Sequence, residues 1–378
     1  DIPRLMDEHD VPGLAIGIGD RSGPVRSEGF GVKVRGGTEP VTSSTTFSVQ
    51  SASKMYTATA IMVAVQKGLV DLDEPITTYL PEFTVHSCWE PHPERRITLR
   101  HCLSHRAGFT HEAPRGGNFD GLEVDFDEHC RSISDTWLRF PVGSHFEYPN
   151  LGIDLAAWAV QRVSRLPFPA FARRVLFDPL GLERTTFDPE RIVADPDRAM
   201  GHSRYVEHLR VRVPMVAAGG LYASVDDALG YLRLHLADGL GLLDEASLQE
   251  MYRIPDALPG QRCGYGLGVE IGRWNGKRIP NHGGRGFGFI SDHAWDPETG
   301  FGVVVLTNSE DHPLQVELAS RVLAELSGGG PAEAEPSEPG STEPGSTSPT
   351  DVTDQDLPDG AIGTYVGRGV TVRVGEER

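Results

Sequence analysis

Long apolar runs, lysine and cysteine are what this 378-residue chain has little of. No stretch of about 18 uncharged apolar residues occurs, which excludes a membrane-spanning helix. Lysine stands at only four positions, Lys33, Lys54, Lys67 and Lys277; the rest of the 35 basic residues are arginine. Each lysine therefore stands out, because an amine can be deprotonated and a guanidinium cannot. Cys88, Cys102, Cys130 and Cys263 are scattered without a Cys-x-x-Cys pair. Neither a zinc site nor a redox motif is indicated, and no metal or cofactor is expected. So few cysteines leave a cytoplasmic and a secreted location equally open. Basic charge is also short, 35 against 54 acidic residues, and the net charge of -19 argues against a nucleic-acid partner. The chain opens on Asp1 rather than Met, which reads as a processed or trimmed start with no targeting segment left to interpret.

What is present is an ordinary folded composition, 38% hydrophobic and 24% charged. This length suggests two or three domains, or one large domain with an insertion. The clearest boundary lies near the end. Residues 327–360 hold 6 Pro, 6 Gly, 9 Ser/Thr and 8 Asp/Glu, and Glu-Pro-Gly-Ser-Thr occurs twice in tandem from Glu338. Such a segment buries too little apolar surface to offset its ordering entropy, so it reads as a flexible acidic linker. Residues 361–378 alternate like a strand pair around Thr371-Val372-Arg373-Val374 and read as the opening of a second β domain, cut short.

Residues 1–326 mix both periodicities. Leu14–Gly19 and Val25–Val32 predict a hairpin, and Ser51–Gln66 a helix closed by Gly68. Helical stretches fill the middle, among them Asp154–Val163 and Phe168–Leu176. Strand patterns return at Tyr265–Ile271, Arg278–His282, Gly286–Trp295 and Phe301–Thr307, with Asn275-Gly276 as a hairpin turn. A final amphipathic helix covers Leu314–Leu326. The prediction is an α+β fold: an antiparallel sheet flanked by helices, with an inserted mainly helical domain. The α/β part would take about 1–75 and 215–326, and the helical part about 76–214.

Three short patterns could carry chemistry. In Ser51-Ala52-Ser53-Lys54 a hydroxyl and an amine sit three residues apart at a helix start, where they share a face and free N–H groups are at hand. A desolvated lysine could take the serine proton. The same residues also read as a helix cap and a solvated charge. Tyr148-Pro149-Asn150 sets a phenol and a carboxamide on one loop, where an ordinary Pro-Asn turn is the plainer reading. His282-Gly283-Gly284 closes a predicted strand, with two glycines that let a ligand near the backbone; a β-bulge would explain it as well. His105 and His111 flank a Gly-rich loop read as structural, and Trp89 and Trp137 are assigned to core packing. Residues 110–130 are placed at the pocket mouth.

Taken in order, the three patterns resemble the serine β-lactamase-like and penicillin-binding-protein-like superfamily of class C β-lactamases, DD-carboxypeptidases, D-aminopeptidases and related esterases. Leu103-Ser104-His105-Arg106-Ala107-Gly108 and Gly219-Gly220-Leu221-Tyr222-Ala223-Ser224 are similar to two further motifs of that family, so the resemblance runs from about Val11 to Leu326. It implies a β-lactamase/transpeptidase-like fold and two-step acyl transfer. Ser51 would be the nucleophile, Lys54 and Tyr148 would share general-base duty, and His282 would fill the role of the family's third-motif lysine. Asn150 would orient the substrate and Lys54, while Gly283 and Gly284 would line an oxyanion hole formed by the N–H groups of Ser51 and Arg285. Histidine is mostly uncharged near neutral pH, so His282 points to the esterase and D-aminopeptidase branches and to a small ester, amide or short-peptide substrate. A β-lactamase, a peptidyl-transferring or cyclising thioesterase, and a non-catalytic ligand sensor remain as alternatives on the same fold. Oligomeric state is not legible in the sequence.

Overall fold

The structure is a computed structural model and describes residues 2–118, 124–204, 209, 211–255, 257, 261, 263–274, 276–326 and, as backbone, 363–367 and 370–374. The residues of the acidic linker expected at 327–360 lie outside those described. The hairpin Gly363–Gly367 with Val370–Val374 is antiparallel.

A seven-stranded antiparallel sheet organises the chain. Its strands are β1 (Gly13–Asp20), β2 (Gly23–Gly31), β5 (Gly264–Tyr265), β6 (Glu270–Trp274), β7 (Lys277–Gly286), β8 (Phe289–Asp296) and β9 (Phe301–Thr307); the short pair β3 (Phe47–Ser48) and β4 (Tyr222–Ala223) stands apart. The order is β2-β1-β9-β8-β7-β6-β5, so the N-terminal hairpin joins the late strands through β9. The valine run of β9 explains its central place. Val303 and Val305 belong to one core with Leu314, Leu318 and Leu323 of the helix Leu314–Leu326, while Val304 and Leu306 belong to the other. A period of two with both phases apolar is what a strand covered on both faces requires.

The second core holds the helix Ser53–Gln66, in which every residue from Ser53 to Ala64 is buried. A helix apolar on all sides belongs inside a domain. It packs on the helix Leu151–Ser164 and on the helical insertion, and its start meets β7 and β8 through the turn Gln50–Ala52. The mixed sheet-and-helix prediction therefore holds.

Some boundaries differ from expectation. The stretch read as one strand at Tyr265–Ile271 is two short antiparallel strands, β5 and β6, because Gly268 at φ +71° reverses the chain. The His282-Gly283-Gly284 pattern lies inside β7 rather than at a strand end: β7 continues to Gly286 and pairs with β8 through all three residues, while its pairing with β6 stops at Asn281. The expected helix start at Ser51 is a 3₁₀ turn, with the α-helix beginning at Ser53. Trp89 and Trp137, assigned to the core, are 47% and 57% exposed; Trp137 instead stacks on His86 with ring centroids 5.0 Å apart. An indole edge satisfied by surface stacking needs no interior position.

Candidate active site

The turn Gln50–Ala52 sets up the site. Gln50 is a non-glycine residue at φ +50°, a conformation rarely adopted without a compensating constraint, and its side-chain amide donates to Ser48 Oγ at 2.8 Å. Ser51 follows directly, buried at 7% exposure. One turn further, Lys54 is fully buried, and its Nζ lies 3.0 Å from Ser51 Oγ and 3.0 Å from the Ala218 carbonyl. The surface-charge reading of Lys54 is thereby excluded.

Tyr148 completes the cluster from the helical side. Lys54 Nζ sits 4.7 Å from the centre of the Tyr148 ring, a distance at which a cation is attracted to an aromatic face. Asn150 is buried just before the helix Leu151–Ser164, and its amide nitrogen reaches the Met215 sulfur at 3.8 Å. Gly284 packs against the main chain of the Gln50–Ala52 turn: a β-carbon there would stand 2.1 Å from the Val49 carbonyl and 2.7 Å from Ser51 N. Gly283, by contrast, is not crowded: a β-carbon there would meet only the Ser291 carbonyl, at an ordinary 3.4 Å. The Arg285 guanidinium turns to the Glu310 carbonyl.

His282 is where the sequence reading needs correcting. It was expected to close a strand and to fill the role of the family's third-motif lysine. Its ring centre lies 6.3 Å from that of Tyr148, and its hydrogen-bond partner is a different phenol, Tyr265, at 2.8 Å from Nε2. Nδ1 lies 2.6 Å from the Gly283 carbonyl. A carbonyl only accepts, so Nδ1 carries the proton and Nε2 accepts from Tyr265. Burial, reinforced by the Lys54 charge, pushes the His282 pKa down to about 3.

Sequence reasoning missed Tyr265 and undervalued His105. Tyr265 lies in Gly264-Tyr265-Gly266-Leu267-Gly268, where a single aromatic among glycines was the available signal. His105 is buried at φ +60°, its ring 4.3 Å from Tyr148 and 4.6 Å from Tyr265 between centroids. Burial, then the charge of Lys54, holds its pKa well below the usual histidine range. The loop it belongs to therefore supports the aromatic wall of the site. Among the described residues no group of three or more metal-ligating side chains occurs, and no helix is long and apolar enough to cross a membrane.

The architecture has a counterpart among solved structures. The octameric penicillin-binding protein homologue from Pyrococcus abyssi matches with a TM-score of 0.74 and 27% identity, over 87% of this chain and 76% of that one. The fold is that of the β-lactamase and transpeptidase class. The Beta-lactamase family model matches residues 1–326, and the chain belongs to that family. It is similar to the esterase EstB of Burkholderia gladioli, 27% identical over 360 residues that cover 82% of this chain and 90% of that one. Penicillin-binding protein 4 of Amycolatopsis lactamdurans is also 27% identical, over 345 residues covering 86% and 88%. Family membership and the names of these relatives imply hydrolase activity.

Proposed function

We propose that the chain is a serine hydrolase that forms an acyl-enzyme on Ser51 from an uncharged ester or amide. The observation that carries this reading is the 3.0 Å separation of Lys54 Nζ and Ser51 Oγ, both side chains being buried. In the first step Ser51 Oγ attacks the carbonyl carbon and its proton passes to the neutral amine of Lys54. The tetrahedral oxyanion is held by the N–H groups of Ser51 and Arg285, and the close seat of Gly284 on the Ser51 main chain supports that arrangement. The bond to the leaving alcohol or amine then breaks, with Tyr148 supplying the proton. In the second step water adds to the acyl carbon, Tyr148 takes a proton from it, and Ser51 leaves with a proton restored from Lys54. Asn150 orients the substrate, and His282 shapes the pocket as a neutral group.

The substrate class follows from charge. His282 is neutral with both ring nitrogens engaged, and the Arg285 guanidinium is turned to a backbone carbonyl. The third motif thus presents a neutral imidazole in place of a lysine ammonium, and the Arg285 guanidinium is engaged by the Glu310 carbonyl, which supports a simple ester or aminoacyl amide, D-residues included, over a β-lactam. The esterase name of one relative agrees, whereas other relatives are named beta-lactamase or D-alanyl-D-alanine-carboxypeptidase/endopeptidase.

The test is a panel of p-nitrophenyl esters, D- and L-aminoacyl anilides and nitrocefin, run beside a fluorophosphonate probe. Turnover of an ester or anilide that disappears in Ser51→Ala supports the reading. Labelling without turnover points to a ligand sensor, and nitrocefin as the best substrate points to a β-lactamase. Lys54→Arg keeps the charge and loses the base, so it is expected to lower acylation by at least about 100-fold while the thermal melt stays cooperative; near-native turnover would remove Lys54 as the base.

A further inference from the structure

The segment that receives Lys54 is itself held from behind. The one-turn helix Val216–Gly219 presents the Ala218 carbonyl to Lys54 Nζ at 3.0 Å. Two neighbours of Lys54 grip the same segment: Thr57 Oγ1 donates to the Ala217 carbonyl at 2.8 Å, and Ser53 Oγ accepts from Leu221 N at 3.1 Å. On the opposite side the Asp154 carboxylate accepts from Ala217 N at 3.0 Å and from Ala218 N at 3.1 Å, both through Oδ1. Asp154 is fully buried within the helix Leu151–Ser164.

Its second oxygen faces another buried group. Asp154 Oδ2 lies 3.4 Å from Nε2 of His129, whose Nδ1 donates to the Arg115 carbonyl at 2.9 Å. A ring with a carbonyl at one nitrogen and a carboxylate at the other is best satisfied as the imidazolium. Burial works against that charge, but Asp154 and the Arg115 carbonyl outweigh it, and the His129 pKa lies above its ordinary value. A buried aspartate four residues after Asn150 is not needed to build an amphipathic helix, and an uncompensated carboxylate at such a place would be costly.

We propose that Asp154, paired with His129, is a positioning residue that fixes the Ala218 carbonyl and through it the place and charge state of Lys54. The inference rests on the acyl-transfer reading of Ser51 and Lys54. Asp154 holds the N–H of Ala218, and the carbonyl of the same residue, one peptide unit on, accepts from Lys54, which also reaches Ser51. Cys130, whose thiol points to the Asp154 carbonyl, and Glu112 are the other titratable groups on the His129 side. His105, His282 and Tyr148 surround Lys54.

Four lysines make the test direct. In protein labelled with ¹³C at lysine Cε, the Lys54 signal is assigned by its loss in Lys54→Arg and followed through a pH titration. Asp154→Asn removes a negative charge and slackens the Ala218 anchor, so the Lys54 midpoint is expected to fall by about 0.5 unit or more. His129→Gln leaves the carboxylate uncompensated, and the midpoint is expected to rise. With a p-nitrophenyl ester, Asp154→Asn is expected to lower kcat about tenfold with little change in KM, and to move the acid limb of the rate profile with the Lys54 midpoint. A Lys54 midpoint unmoved in both variants overturns the proposal. Should Asp154→Asn not fold, His129→Gln alone decides it. Absence of fluorophosphonate labelling in the unmodified chain would instead sink the acyl-enzyme reading, and the lysine titration reports the coupling whether or not the serine reacts.

Discussion

The Tyr265 hydroxyl donates to Nε2 of His282 at 2.8 Å, and the opposite nitrogen of that ring donates to its neighbour's carbonyl at 2.6 Å. Together the two bonds fix one tautomer and leave the ring neutral. Tyr265 comes from the edge strand β5 and His282 from β7, so the contact reaches across β6, the strand between them. A phenol and an imidazole are thus joined as a unit at the His282-Gly283-Gly284 pattern.

Replacing Tyr265 by Phe leaves a buried acceptor without its donor. The expected loss of stability is about 1–3 kcal/mol, read as a lower midpoint in urea with an unchanged slope. Catalysis is expected to fall about tenfold as the His282 ring loses its anchor. The rate profile of the unmodified chain is expected to lack an inflection from His282 between pH 5 and 8, since its pKa is held near 3. An imidazole signal assigned to His282 that titrates near 6.5 would contradict this.

Ser51, Lys54, Tyr148 and His282 were legible because each lies in a short pattern whose residue types carry chemistry. Asp154 and Tyr265 were not, because neither differs locally from a helix-surface acid or a strand aromatic. Only tertiary contact shows that Asp154 faces two backbone N–H groups across 63 and 64 positions of sequence. The sheet was readable from the valine run of β9 and the turn-bounded hairpin that begins with β1, whereas the reversal at Gly268 was hidden inside a stretch read as one strand. The exposure of Trp89 and Trp137 escaped for a related reason: hydrophobicity ranks burial on average and says nothing of one indole stacked at the surface.

Gly284 offers a sharper test of the Gln50–Ala52 turn than any of the proposed catalytic side chains. A methyl group there would meet the Val49 carbonyl at 2.1 Å and Ser51 N at 2.7 Å, and both are backbone atoms with little freedom to yield. Gly284→Ala is expected to push the turn away from β7. Overpacking of this kind costs about 1–3 kcal/mol in stability, and a displaced oxyanion donor costs roughly 100-fold or more in kcat. Gly283→Ala is the control. Its nearest neighbour, the Ser291 carbonyl, stands at an ordinary 3.4 Å, so folding and activity are expected to be largely kept. Equal effects of the two substitutions would show that the close approach at Gly284 does not define the site.

The sheet also carries a pH-sensitive group on β8, opposite Gly283. Asp292 of β8 is buried, and burial together with repulsion from Glu270 pushes its pKa up to about 7. Its folded pKa thus exceeds its unfolded value of about 4, so the folded state binds the extra proton between those limits. The associated stability is present below about pH 4 and is lost as pH rises through 7. Buried histidines act in the opposite sense. Burial lowers His235, His282 and His293 to about 3, and His312 to about 4. The unfolded chain therefore takes up protons that the folded chain refuses, and stability falls as pH drops from about 6.5 toward these values. The two sets oppose each other between roughly pH 4 and 6.5, and only the carboxyl contribution continues to change up to 7. Asp292→Asn removes that contribution, so the variant is expected to gain on the unmodified chain by roughly 2–3 kcal/mol between pH 5 and pH 8. Urea unfolding at the two pH values measures the difference. A gap that stays constant with pH would mean that Asp292 ionises as freely in the folded chain as in the unfolded one.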